Sequence, residues 1–446
     1  MNILFANLHW DYGEDHTQEN MKPLQFPTGL AIIAAEIKKH RNDNLFTIDN
    51  YVANLKDEDV FAFISDHSVD CVLLSLFLGN YQYRYLKKFI NNHNETFSSC
   101  KIIIGGPMAS TIPHLILKNT KGDDEQVICV IGEGEDTIID LMACLDSNDD
   151  LSKVKGICFK RGQRIIQTDA RSRLKNLDNQ PYLAYDLFET QTYVDYVNST
   201  NRCWELCTSR GCFGSCVYCK LVFGRKITMK SAESVLNEMI DFYKSYGVNR
   251  FNFVDDNFLN TEKQIWEFYN VLKECDIKFK WRFQGRADRL DPSLASALVE
   301  VGLYDISFGI ESGSMLIHKE MDKKLNLDRA RANLKMLPSE LDTHASFIIG
   351  MPSESHKTIE QSLEFIQDVG VKNINAGILT LFPDTVLYEI ARSKGLITNE
   401  DEYCDNLGPV YVYPYTNLTD YTDDQLIKWT EMISNAGSVN KANNND

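Results

Sequence analysis

The chain has 446 residues, 43% of them hydrophobic and 24% charged, with 63 Asp and Glu against 46 Lys and Arg for a net charge of −17. The acidic balance argues against a general affinity for nucleic-acid phosphates. The absence of low-complexity tracts excludes collagen-like, coiled-coil and disordered classes, and no apolar run reaches the roughly 18 residues of a membrane span. At about 150 residues per domain, the length fits two or three domains.

The opening stretch lacks a basic region followed by an apolar one, so no secretory signal is read there and a cytoplasmic location is expected. Twelve cysteines in such a chain point to reduced thiols rather than a disulfide framework.

Residues 1–145 alternate short β-rich runs with helical patterns. Ile3–Asn7 reads as the first strand and Thr28–His40 as a helix with Leu30, Ile33, Ala34 and Ile37 on one face. A strand follows at Leu45–Asp49 and a helix at Asp57–His67. Cys71–Ser75 is nearly all apolar, as a strand covered on both faces requires. Tyr81–Asn91 reads as a helix, Lys101–Ile104 and Val127–Ile131 as strands, and Glu135–Leu145 as a closing helix. These βα units imply a doubly wound parallel sheet of Rossmann-like form, whose ligands lie beyond the carboxyl ends of the strands.

Two of those ends carry glycine: Gly105-Gly106-Pro107 and Gly132-Glu133-Gly134-Glu135. Glycine permits close approach of a ligand, and it equally serves a tight turn. Together with Pro27-Thr28-Gly29-Leu30-Ala31, this ordered set resembles the cobalamin-binding domain that precedes a radical S-adenosylmethionine (radical SAM) barrel. The resemblance implies a cobalamin site lined by Ser75, Gly105, Gly106, Pro107, Gly134 and Glu135. The Asp-x-His-x-x-Gly triplet that supplies a lower histidine ligand in mutase-type domains is absent. The similarity is therefore to the subgroup that binds cobalamin without histidine, or to a domain that has lost the cofactor.

Residues 146–200 read as a linker with no strong helical period and a hairpin at Val154–Arg161 and Arg164–Gln167.

Cys212-x3-Cys216-x2-Cys219 places three thiols in one short loop containing Gly214. Cysteine thiolates at such spacing hold iron–sulfur clusters. Three local ligands leave one iron of a four-iron cluster open to another molecule. Zinc, with Cys207 as fourth ligand, is the alternative. Cys203 and Cys207 themselves read as core thiols. A strand at Cys203–Thr208 leads into the loop, and beyond it strands at Arg250–Val254, Lys278–Gln284, Ile306–Ile310, His344–Ile349 and Asn375–Leu379 alternate with helices. Six βα units predict an open partial TIM barrel over residues 201–395.

The loop, preceded by Thr208-Ser209-Arg210-Gly211, closely resembles the radical SAM signature. The resemblance implies a 4Fe-4S cluster on Cys212, Cys216 and Cys219, with Tyr218 facing the adenine of S-adenosyl-L-methionine. It also implies contacts from Asp255, Asp256, Gln284, Arg286, Glu311 and Ser312 at successive strand ends. Residues 396–446 are expected to form a tail or lid, with an edge strand at Val410–Tyr415 and a disordered end from Val439.

The two domains imply a cobalamin-dependent radical SAM enzyme. The expected reaction methylates an unactivated carbon of a small molecule, using a 5′-deoxyadenosyl radical and methylcobalamin. Ring formation, rearrangement or sulfur insertion by the same cofactors is the second reading, and a non-catalytic zinc- or cobalamin-binding protein the third. An electron donor such as flavodoxin or ferredoxin is the implied partner, with neither nucleic acid nor membrane.

Overall fold

The computed structural model describes residues 1–8, 25–53, 55–122, 124–371 and 373–443. The chain forms two compact units. The first comprises Met1–Lys175, Asn179–Tyr196 and Thr398–Pro409; the second comprises Asn176–Asp178, Val197–Ile397 and the chain from Val410.

In the first unit, strands β1 (Asn2–Asn7), β2 (Asn44–Asp49), β3 (Cys71–Ser75), β4 (Lys101–Gly105) and β5 (Val127–Val130) pair in parallel. Their order is β2-β1-β3-β4-β5. The order reverses between β1 and β3, which defines the topological switch point of this sheet class. The helix Thr28–His40 has the bounds read from its apolar period. Leu30, Ala31, Ala34 and Ile37 are buried, and Lys38, Lys39 and His40 stand in its last turn, where the helix dipole favours positive charge. The buried face meets Ile3, Phe5, Leu73, Ile103 and Ile128 from the strands.

The hairpin taken from the sequence as part of a linker joins this sheet. Its strands β6 (Ile157–Arg161) and β7 (Arg164–Gln167) add antiparallel beside β5. A helix at Thr190–Ser199 also lies in the stretch read as lacking helical period. The helix Glu400–Asn406 belongs to the first unit too. Lys87 bridges Asp401 and Asp405 at 2.8 Å each, and the Tyr83 hydroxyl donates to Asp401 at 2.7 Å.

The second unit contains β8 (Trp204–Leu206), a short antiparallel pair β9 (Ser209–Arg210) and β10 (Thr228–Met229), and then β11 (Arg250–Phe253), β12 (Lys280–Gly285), β13 (Leu303–Glu311), β14 (Asp342–Ile349) and β15 (Asn373–Ile378). β8 and β11 to β15 form one all-parallel sheet in chain order. Its end strands β8 and β15 do not pair, so the six-stranded barrel is open, as the repeat predicts. Helices run between the strands, capped where the sequence signals it. The Asp291 carboxylate accepts from Ser293 and Leu294 N–H ahead of Pro292, and Gly247 and Gly370 end their helices at positive φ.

Two expectations for the tail are corrected. Val410–Tyr415 forms turns rather than an edge strand. Tyr411 takes φ +61°, its carbonyl accepts from Ile378 N–H at 2.9 Å, and its own N–H goes to the Thr380 hydroxyl at 2.7 Å. These two bonds tie the segment to the end of β15 without a ladder. The end of the chain is not disordered through Asn443, because a helix spans Asp423–Asn443 and buries Leu426, Trp429 and Ile433. That apolar face packs against β15. Asn444 to Asp446 lie outside the described residues.

Candidate cofactor sites

The three-cysteine loop begins where β9 ends. Gly211, at φ +93°, donates its N–H to Asp256 at 2.8 Å, and Cys212 N–H reaches Gly224 at 3.2 Å. Arg225 donates to the Gly214 carbonyl, Ser215 Oγ to the Asp322 carbonyl at 3.0 Å, and Val217 N–H to the Met321 carbonyl at 3.0 Å. The loop is thereby fixed on both flanks. A Cβ at Gly214 would lie 3.4 Å from the Cys212 sulfur and 3.7 Å from the Cys216 sulfur, so glycine keeps the space beside the thiols clear.

Cys212, Cys216 and Cys219 are all at least partly accessible and unbridged. Cys207 donates instead to the Ser209 carbonyl at 3.3 Å, and burial pushes its thiol up to about 12. Cys203 meets the Tyr304 hydroxyl at 2.9 Å. Among the described residues, no three His, Cys, Asp or Glu side chains converge as for a single metal ion. With Cys207 turned to the Ser209 carbonyl, the three accessible thiols of the loop form a donor set that fits an iron–sulfur cluster.

The strand-end residues divide into two groups. Asp255 is buried and saturated. Its Oδ1 accepts from Thr208 N–H at 2.7 Å and Ser209 N–H at 2.9 Å, and its Oδ2 from the Thr208 and Ser209 hydroxyls at 2.5 and 2.8 Å. Burial raises its pKa against the pull of these four donors. It sets the lead-in to the cysteine loop. Arg286 is also fully engaged, reaching both oxygens of Asp288 at 3.1 and 3.0 Å and the carbonyls of Lys323 and Lys324 at 2.8 and 2.7 Å. Its guanidinium lies 5.6 Å from the centre of the Phe213 ring. Burial opposes the charge on Asp288, but Arg286 holds its pKa below the usual value. Sequence reasoning offered both residues to a ligand; the structure uses them on the protein itself.

Gln284 stays exposed, and Asp256 is exposed apart from its bond to Gly211. Glu311 closes β13 at φ +66° and is buried against Lys323, with 2.6 Å between Oε1 and Nζ. A Cβ at Gly309 would strike both members of that pair. Ser312, also buried, accepts from Ser314 N–H at 3.1 Å, and its carbonyl meets His318 Nε2 at 2.7 Å. Tyr218 is 7% exposed. Burial, then Glu311 and the cysteines, raise its pKa. The same causes act on Tyr411: burial first, then Cys219 and Glu311. The structure thus brings Tyr218, Glu311 and the thiol loop together. It adds Lys323 and Tyr411, which carry no motif of their own.

In the first unit, Ser75 and Gly105 are register partners at the ends of β3 and β4. Gly105 has only one atom within 4 Å of an added Cβ, at 3.8 Å, and Pro107 is exposed. Gly106 is different: it takes φ +85°, and a Cβ there would meet the Leu76 backbone at 2.7 Å. The turn and its packing account for that glycine. Gly134 leaves room for Ile33, while Glu135 is buried and accepts from Gln180 at 2.7 Å. The open backbone fitting a large ligand is at Gly105 and at Gly132, whose added Cβ meets nothing.

Comparison with known families agrees with both halves of this architecture. A B12 binding domain profile matches residues 20–142, and a radical SAM superfamily profile matches residues 206–366. The chain is a radical SAM enzyme with a B12-binding domain, and its cofactors are S-adenosyl-L-methionine, a 4Fe-4S cluster and cobalamin.

An uncharacterized methyltransferase of Pyrococcus horikoshii is 26% identical over 410 residues, covering 90% of this chain and 85% of its own. Cytidylyl-2-hydroxyethylphosphonate methyltransferase of Streptomyces wedmorensis is 26% identical over 399 residues, covering 77% of this chain and 74% of its own. Among solved structures, the cobalamin-dependent S-adenosylmethionine radical enzyme OxsB, with aqua-cobalamin and S-adenosylmethionine bound, shares the fold. Its TM-score is 0.70 at 17% identity, over 99% of this chain and 66% of that one. Among the described residues, no helix is long and apolar enough to cross a membrane.

Proposed function

We propose that the chain methylates an unactivated carbon of a small molecule, with Cys212, Cys216 and Cys219 as cluster ligands. The observation that carries the reading is the clamped three-thiol loop at the strand ends of an open parallel barrel, in one chain with a sheet of order β2-β1-β3-β4-β5. The methyltransferase names of the two relatives support the choice of reaction. When bound, the cluster supplies the electron that splits S-adenosyl-L-methionine, and cobalamin carries the methyl group.

The protein's own part is positioning. Tyr218, Gln284, Glu311 and Ser312 border the place for S-adenosyl-L-methionine. Asp255 and Asp256 hold the approach to Cys212, and Arg286 ties the Lys323–Lys324 segment beside the Glu311 pair. Ser75, Gly105 and Pro107 border the place for cobalamin, with Gly106 shaping the turn; Gly134 and Glu135 flank it. The sequence holds no Asp-x-His-x-x-Gly motif, so no histidine of that kind would hold the cobalamin. A cytoplasmic flavodoxin or ferredoxin delivers the electron.

Anaerobic reconstitution with iron, sulfide and hydroxocobalamin tests the reading. The protein should retain both groups, and its cob(II) resonance should lack imidazole nitrogen splitting. Loss of all cobalamin on desalting would reduce the first unit to a scaffold, and nitrogen splitting would contradict the missing ligand.

A further inference from the structure

The tail holds an aromatic residue in a backbone conformation that its side chain disfavours. Tyr411 takes φ +61°, and a bulky side chain in the left-handed region costs free energy that its surroundings must offset. The chain makes three provisions for it. The Tyr411 carbonyl accepts from Ile378 N–H at 2.9 Å, and its N–H donates to the buried Thr380 hydroxyl at 2.7 Å. Gly377 leaves room, because a Cβ there would lie 2.8 Å from Tyr411 Cβ and 2.9 Å from its carbonyl oxygen. Strain of this kind persists where it places a functional group.

The group placed here is the phenol. The segment is fixed to the carboxyl end of β15, beside the seam that β8 and β15 leave unpaired. The thiol loop reaches the same seam: Leu387 N–H donates to the Val217 carbonyl at 3.3 Å, and Lys220 pairs with Asp384. Tyr411 therefore stands next to the loop, with its ring centre 6.2 Å from that of Phe382. Burial, then Cys219 and Glu311, raise its pKa, so the hydroxyl keeps its proton. That hydroxyl has no hydrogen-bond partner among the described residues. A half-buried donor left without a partner costs stability unless a ligand accepts from it.

Glu311 and Cys219 act on Tyr218 as well. Two tyrosines from distant parts of the chain thus face one space beside Glu311 and the third thiol. The two ends of S-adenosyl-L-methionine make different demands on such a space. Its amino and carboxylate groups need charged partners, and the Glu311–Lys323 pair carries both signs. Its ribose oxygens and adenine nitrogens are neutral acceptors, which a neutral phenol matches.

We infer that the Tyr411 hydroxyl donates a hydrogen bond to the adenosine half of S-adenosyl-L-methionine, which makes the tail part of that site. The inference rests on the radical SAM reading and adds a binding residue to it.

The test measures binding, not turnover. The full-length protein carrying its cluster is dialysed anaerobically, without substrate, against radiolabelled S-adenosyl-L-methionine. Tyr411→Phe keeps the ring and the backbone, so its urea midpoint and iron content should match the wild type. Its dissociation constant for S-adenosyl-L-methionine should rise by about two- to tenfold, the scale of one hydrogen bond. Competition by 5′-methylthioadenosine, which carries the adenosine half without the amino acid, should weaken by the same factor. Tyr411→Asn, at ease at positive φ but without the ring, should weaken both ligands further. Unchanged constants in both variants overturn the inference and leave the radical SAM reading standing. Weakening of S-adenosyl-L-methionine alone also overturns it, because the contact would then lie on the amino acid half. If the wild type binds but yields no methylated product, the proposed reaction fails, and the ratio of constants still decides the place of Tyr411. No binding by the wild type overturns both.

Discussion

Replacing Asp255 tests how the cysteine loop is held. Oδ1 serves two backbone N–H groups and Oδ2 two hydroxyls, all within 2.9 Å. In Asp255→Ala the hydroxyls can turn elsewhere, but the N–H groups of Thr208 and Ser209 cannot. At about 1–3 kcal/mol for each buried donor left unsatisfied, the loss is about 2–6 kcal/mol. Asp255→Asn keeps an oxygen toward both N–H groups and offers its amide to the hydroxyls, so it should cost only about 1–2 kcal/mol. Urea denaturation of the apoprotein gives the stability difference, and iron and sulfide analysis after reconstitution gives the effect on the loop. Asp255→Ala should lose both stability and iron, and Asp255→Asn should keep most of each. An alanine variant that loses less than about 1 kcal/mol and binds full iron would refute the reasoning.

Four further predictions follow the same logic. Replacing Cys212, Cys216 and Cys219 together by Ala should abolish iron binding, while Cys203→Ser and Cys207→Ala should retain it; full iron in the triple variant, or loss of iron in either single one, would contradict the ligand assignment. Gly106→Ala should destabilise the first unit by at least the roughly 1–2 kcal/mol of a left-handed backbone, plus the collision with Leu76. Gly105→Ala should fold normally and lose cobalamin on gel filtration; full retention would move the cofactor elsewhere. Burial pushes Glu354 up to about 7, against hydrogen bonds from Thr358 and Gly350. A folded-state pKa above the ordinary value means stabilisation that is full below about pH 4.5 and lost as pH rises through about 7, on the order of 3 kcal/mol in all. Denaturant midpoints for the wild type should fall across that window relative to Glu354→Gln; parallel profiles would contradict the burial argument.

The fold was legible where a strict period met a clear boundary. The helix at Thr28–His40 and the strand at Cys71–Ser75 have the read limits, because apolar spacing and flanking breakers agree there. The tail was misread because local composition competes with tertiary contacts. Val410 to Tyr415 alternate like a strand, yet the bonds of Tyr411 to Ile378 and Thr380 impose a turn. The polar end of the chain hides an apolar stripe of Leu426, Trp429 and Ile433 just upstream, which was the available signal for its helix. In the site, the thiol spacing was readable because it is local. The uses of Asp255 and Arg286 were not, since their partners lie 46 and 38 residues away along the chain. Lys323 was invisible for the same reason: only the folded chain places it on Glu311.

The central claim, that one chain uses both a three-thiol cluster and cobalamin on S-adenosyl-L-methionine, is tested most directly by product analysis of the reconstituted enzyme. The protein, loaded with iron, sulfide and hydroxocobalamin, is incubated anaerobically with a chemical reductant, a small-molecule cell extract and S-adenosyl-L-methionine carrying a deuterated methyl group. Liquid chromatography and mass spectrometry should find 5′-deoxyadenosine, S-adenosylhomocysteine and a small molecule bearing the labelled methyl, with all three lost in the triple cysteine variant. Neither nucleoside product from a protein with full iron, or labelled product undiminished in the triple variant, would contradict the account.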